Sequence, residues 1–344
     1  MAQEHIPNNQ PLRSLRHEPL ELMKASLEHV LRSTPPQPAY EVHEMFGGYT
    51  GGPSSLAYLF FRLADLYPNV QVAGHPLMHW TKQYLEGDRG EVKITSRAFL
   101  SNMPTVLGPY PDLKQDPYGS EFWEGRAGTL YFMRLMRHYI PESAALLEGP
   151  IAQVSERILS DSIDQGERGW MFYDLETGAG HGTIGIITQL VVTTPSLAPR
   201  LRTKLCAVLD LQTDGNWPRN VTPTSDNNPF LMQWCHGAPG FVASLKAIRP
   251  YFPEIQGRID AAIANAQEAI WKYGALPHGP RREHFLSLAT VEAIEEAKRL
   301  EPGVFNRTDY GQDIAITFKY HSSAAWTWAV CGQEDPLMLI QTDV

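Results

Sequence analysis

The chain has 344 residues, 43% hydrophobic and 19% charged, which describes a globular protein with a large core and excludes an intrinsically disordered one. Its formal net charge of −9 argues against binding nucleic acid or an anionic membrane, since both need a basic footprint. Cys206, Cys235 and Cys331 suit no disulfide framework, and the start MAQEHIPNNQPLRS has no signal-peptide layout. No apolar run approaches the ~20 residues of a membrane span, so the expectation is a cytoplasmic protein without membrane insertion.

Residues 1–16 are polar and read as a flexible segment. The stretch 19–33 then places Leu20, Leu22, Met23, Leu27, Val30 and Leu31 at helical spacing, and Pro35 and Pro36 stop the helix. After it a unit recurs: a glycine-containing turn, an apolar helix, and a more polar, amphipathic helix. The turns are YTGGPSS (49–55), WEGRAG (123–128), GHGTIG (180–185), CHGAPG (235–240), PHGPRR (277–282) and YHSSAA (320–325), with lead positions 42 to 74 residues apart. The amphipathic segments include 142–159, 198–211 and 254–274.

A ring of such pairs, apolar helices inside and amphipathic ones outside, predicts an all-α fold. It would be an α/α barrel (toroid) of repeated helical hairpins, with glycine-rich turns at the inner-helix starts and one domain over 17–344. Two separate helical domains are the alternative arrangement. Strand signals are scarce. The inner-helix starts of a barrel face one end, so a site there would collect residues from every turn.

Cys235 stands just before a Gly-x-x-Gly helix start, where the helix N-terminus favours a thiolate, and it reads as a nucleophile or a metal ligand. His181 and His278 each precede a turn glycine as well. Arg281 and Arg282 would make an anion clamp if they face the barrel mouth, because guanidinium forks match carboxylate and phosphate. Cys206, Cys331, Trp326 and Trp328 lie in apolar contexts and read as core. The chain shows no dinucleotide-binding glycine fingerprint, no P-loop and no Gly-x-Ser-x-Gly elbow.

The motif WCHGAPG resembles the zinc-cysteine turn of the lanthionine-cyclase-like (LanC-like) family in its eukaryotic form. GHGTIG is similar to that family's His-Gly-x-x-Gly turn, and WEGRAG, preceded by Glu121, to its acidic turn. The resemblance runs from about residue 46 to 330. It implies an α/α toroid that binds zinc through two cysteines and a histidine, and an enzyme adding a thiol, from glutathione or a peptide cysteine, to an activated alkene.

Carried over, Cys235 and His278 become zinc ligands, His181 the acid–base histidine, and Glu121 its acidic partner. Pro277 stands where the second zinc cysteine is expected and carries no donor, so the zinc motif is degraded. His236, His284 or His321 are the substitutes the sequence offers. His236 and His321, with Arg281 and Arg282, are also the candidate substrate-binding residues, and His321 occupies a position where the family usually has Glu. The substrate would be a small molecule or a peptide. Two further readings stay open: a metal-free enzyme on the same barrel, cyclising or isomerising a small natural product by acid–base chemistry, and a non-catalytic binding protein.

Overall fold

The structure is a computed structural model, and it describes residues 16–39, 52–87, 119–122, 125–164, 176–221, 231–273, 290–300, 320–333, 338–339 and 342. Apart from Arg16, the N-terminal segment 1–16 lies outside these residues. So do Pro277, His278, Arg281, Arg282 and His284. The described residues are mostly helical, as the turn pattern predicted; the one strand pair named among them is the two-residue hairpin Gln71–Val72 with His75–Pro76. Among the described residues no helix is long and apolar enough to cross a membrane.

The chain divides into two compact units, one built on Phe99–Leu276 and one on Pro11–Ala98 with Pro277–Leu339. In the second unit lie α1 (Pro19–Ser33), α2 (Gly52–Leu66), α3 (Leu77–Glu86), α10 (Val291–Leu300) and α11 (Tyr320–Val330). Pro19 opens α1, where a missing N–H costs nothing, and Glu21 favours the positive helix start. Leu22, Met23, Leu27, Val30 and Leu31 are buried as the stripe predicted, whereas Leu20, in the first turn at the stripe's edge, stays exposed. Helix α2 buries Leu56, Leu59, Phe60 and Leu63, and the Tyr84 ring of α3 stacks on Phe60 at 5.8 Å. Helix α11 packs on α1 and α2. Trp326, Trp328 and Cys331 are core there, as read from the sequence, and Cys206, in the first unit, is half-buried.

The first unit holds three helical hairpins: α4 (Arg126–Tyr139) with α5 (Ala144–Asp164), α6 (Thr183–Thr193) with α7 (Ala198–Leu209), and α8 (Ala238–Ile248) with α9 (Gln256–Tyr273). Helix α6 packs between α4 and α8, and each of these carries its amphipathic partner outside. Ile184, Ile186, Ile187, Leu190 and Val191 of α6 are all buried, so its apolar residues on every face have a neighbour.

The joint between inner and outer helix follows one pattern in these three hairpins, with an extra 3-10 turn, Arg249–Tyr251, inserted after α8 in the third. Ile140, Thr194 and Phe252 leave the helical region at ψ 75°, 82° and 61°, and each is followed by a proline that opens a single 3-10 turn. A residue before proline is pushed out of the α region by the ring, so the proline ends one helix and starts the chain back.

The glycine turns also repeat to the residue. The second glycine of each Gly-x-x-Gly lies against the backbone six positions earlier: a Cβ would fall 2.1 Å from the Phe122 carbonyl at Gly128, 2.1 Å from Ala179 at Gly185, and 1.9 Å from Trp234 at Gly240. No side chain fits there, so glycine is required by close approach. Gly128→Ala, Gly185→Ala and Gly240→Ala should each destabilise the protein by about 3 kcal/mol or more in denaturant titration, because backbone must move. Gly257→Ala is the control: a Cβ there meets nothing within 4 Å, and alanine should be neutral or stabilising by up to ~1 kcal/mol.

Candidate acid–base site in the first unit

Three turns of the first unit close on one another through the middle one. Gly180 accepts a hydrogen bond from the Phe122 N–H (3.2 Å) and donates its own N–H to the Cys235 carbonyl (3.3 Å). A Cβ on Gly178 would sit 2.0 Å from that same carbonyl, so the Thr-Gly-Ala-Gly run is what lets the Cys235 turn approach. The first two turns are held alike. Arg126 N–H bonds to the Gly119 carbonyl at 3.0 Å, and Thr183 N–H to the Glu176 carbonyl at 3.1 Å.

In the third turn a side chain takes over that bond. Asn216 Oδ1 accepts from Ala238 N–H at 2.7 Å while its Nδ2 donates to the Leu231 carbonyl at 3.1 Å. Gly237 can then turn into α8 with φ 99°, a value that favours glycine.

These turns, with Arg219, bring five ionisable side chains together. The Glu121 carboxylate is fully buried, and its Oε2 lies 3.1 Å from Nδ1 of His181, whose side chain is 32% exposed. The His181 ring stacks against His236 with centroids 5.6 Å apart and planes 25° apart. Nδ1 of His236 stands 3.8 Å from Oε2 of Glu176, beyond a good hydrogen bond. The other oxygen of Glu176 accepts from Arg219, at 2.9 Å from Nε and 2.8 Å from Nη2. The order is carboxylate, imidazole, imidazole, carboxylate, guanidinium, with His181 and Arg219 partly open to solvent.

Burial, aided by the nearby His181 and Arg219, pushes the pKa of His236 down to about 4, so this ring is neutral at physiological pH. The Cys235 thiol is half-buried, with Sγ 3.6 Å from Oε1 of Gln233. Burial, helped by the Glu176 carboxylate, raises its pKa. The thiolate expected from the helix start is therefore outweighed by desolvation and a neighbouring negative charge.

Of the donors that the resemblance implies for zinc, Cys235 lies among the described residues and His278 does not; Pro277 carries no donor, and among the described residues no two His, Asp or Glu ligand atoms cluster with Sγ of Cys235. Among the described residues, a group with metal-binding spacing lies in the second unit: His29, Glu295 and His321.

Of the residues singled out from sequence, Glu121, His181, Cys235 and His236 thus lie in one cluster, and His321 lies beside His29 and Glu295. His278, Arg281 and Arg282 lie outside the described residues. Sequence reasoning missed Glu176, Arg219 and Asn216. Glu176 precedes Gly182 by six positions, as Gly119 precedes Gly125, so its backbone place in the repeat was readable. Its pairing with Arg219, 43 residues on, was not.

The depressed pKa of His236 has a definite sign in stability. Between pH ~6.5 and ~4 the unfolded chain binds a proton at this position that the folded chain does not. Stability should therefore fall as pH drops through that window, by at most ~3 kcal/mol, and should not depend on His236 above it. Urea midpoints of chelator-treated protein at pH 4.5 and 7.5 check this. His236→Gln should shrink the difference, and an unchanged difference would rule the assignment out.

The family comparison agrees with the turns. A family model described as "Lanthionine synthetase C-like protein" matches residues 8–281. The matched stretch takes in the Glu121, His181 and Cys235 turns. It spans well over half of the 344 residues, so the chain belongs to the lanthionine synthetase C-like family, whose fold class is the all-α barrel.

Proposed function

We propose that the chain is an enzyme that adds a thiol, from glutathione or a peptide cysteine, to an activated alkene, with Glu121 and His181 moving the proton. The observation that carries the reading is the fully buried Glu121 carboxylate 3.1 Å from Nδ1 of the half-exposed His181. The thiol and alkene come from family membership.

A carboxylate only accepts, so Nδ1 of His181 carries the donated hydrogen and Nε2 is left as the base. Nε2 takes the proton of the incoming thiol. The sulfur attacks the β-carbon of the alkene, forming the S–C bond as the π bond opens toward the α-carbon. The imidazolium then returns the proton to that carbon, and the histidine is regenerated with no oxidant or reductant consumed. Glu121 faces the positive charge while the proton is held. His236 supports the same step by being neutral, because a second charged imidazole 5.6 Å away would oppose the imidazolium. No step runs through a metal. The thiol substrate, the Arg281 and Arg282 anion clamp, the single domain over 17–344 and a cytoplasmic setting belong to the same proposal.

The test is incubation of purified protein with glutathione and a dehydroalanine peptide, with the adduct followed by mass spectrometry. His181→Ala and Glu121→Gln should each lower kcat/KM by about 100-fold or more with helical content unchanged. Full activity in both variants would remove the proton-carrying role. If the protein transforms an alkene with no sulfur in the product, and His181→Ala abolishes that activity, the isomerase reading replaces thiol addition.

A further inference from the structure

We propose that His29, Glu295 and His321 form a divalent-cation site of the zinc type in the second unit, separate from the Cys235 turn. Three helices supply it: α1 carries His29, α10 carries Glu295, and His321 is the second residue of α11. Nε2 of His321 lies 3.1 Å from Oε1 of Glu295, and Nε2 of His29 lies 3.8 Å from the same oxygen. The two imidazoles are in face contact, with centroids 3.7 Å apart and planes tilted by 34°. All three ligand atoms lie within 4.8 Å of one another.

The spacing is that of a metal's donor shell. Zinc with bonds of ~2.1 Å in tetrahedral geometry needs donors ~3.4 Å apart. The two nitrogen–oxygen separations, 3.1 and 3.8 Å, bracket that value, so a cation could be seated by small side-chain adjustments. Two imidazole nitrogens and one carboxylate oxygen are a borderline donor set, suited to Zn²⁺ and Co²⁺ rather than to Mg²⁺ or Ca²⁺. Three protein ligands leave the fourth position for water. The burial gradient gives an entry path: the side chain of His321 is 6% exposed, His29 22% and Glu295 47%. A hydrogen bond between His321 and Glu295 explains one of the three contacts.

None of the three residues belongs to the motif turn at Cys235, which makes the site separable by experiment. The full chain is stripped with chelator, then titrated with Zn²⁺ by calorimetry and with Co²⁺ by absorption. The expected result is one equivalent bound with the visible bands of four-coordinate Co²⁺ and without the near-ultraviolet thiolate-to-cobalt band. Cys235→Ala should leave this equivalent intact. His29→Ala and Glu295→Gln, both at partly exposed side chains, should weaken it at least tenfold while circular dichroism stays that of the unsubstituted protein. The proposal is overturned if the protein takes up neither metal, if binding disappears in Cys235→Ala, or if binding is unchanged in His29→Ala.

Discussion

The Cys235 carbonyl lies where a Cβ on residue 178 would have to be, and most of the acid–base cluster depends on that contact. Because residue 178 is glycine, the turn before α8 closes onto the turn before α6, and Gly180 bonds to both of its neighbours. The result is a stack of three turns held by main-chain hydrogen bonds, which side-chain motion does not loosen. Glu121, His181 and His236 project from adjoining layers of that stack. The separation between an acid and a base is thereby set by backbone, which is what proton transfer over a hydrogen-bond distance requires.

Burial then divides the labour among groups of similar chemistry. The two histidines sit 5.6 Å apart, and burial pushes the pKa of His236 down to about 4, so that ring stays neutral. The two glutamates differ in their partners. Glu121 faces an imidazole, whereas Glu176 is bound to Arg219, and the negative charge of that second pair helps keep Cys235 protonated.

The outer part of each hairpin serves this arrangement indirectly. Ile140 and Thr194 end α4 and α6 at the opposite end from the glycine turns, Phe252 follows the 3-10 turn after α8, and the proline after each sends the chain back as an amphipathic cover. The inner helices can then be apolar nearly all round, and the first N–H groups of their starts are taken up by the turns that precede them. In the second unit the polar convergence is of another kind. There it lies between three helices, and two imidazoles with one carboxylate form it.

Much of this was legible in the sequence, because helix periodicity and the punctuation of Gly and Pro are local signals. The stripe from Leu22 to Leu31, the turn glycines Gly125, Gly182 and Gly237, the segments 142–159, 198–211 and 254–274, and the histidine and glutamate of the dyad all follow from residues a few positions apart. What only the tertiary structure decided involves partners far apart in the chain. Arg219 reaches Glu176 across 43 residues, Asn216 caps α8 from 22 residues away, and His321 meets Glu295 from a different helix. The protonation of Cys235 belongs to the same class. A helix start near a thiol is visible as sequence, but burial and an opposing carboxylate are properties of packing, and here they carry the larger effect.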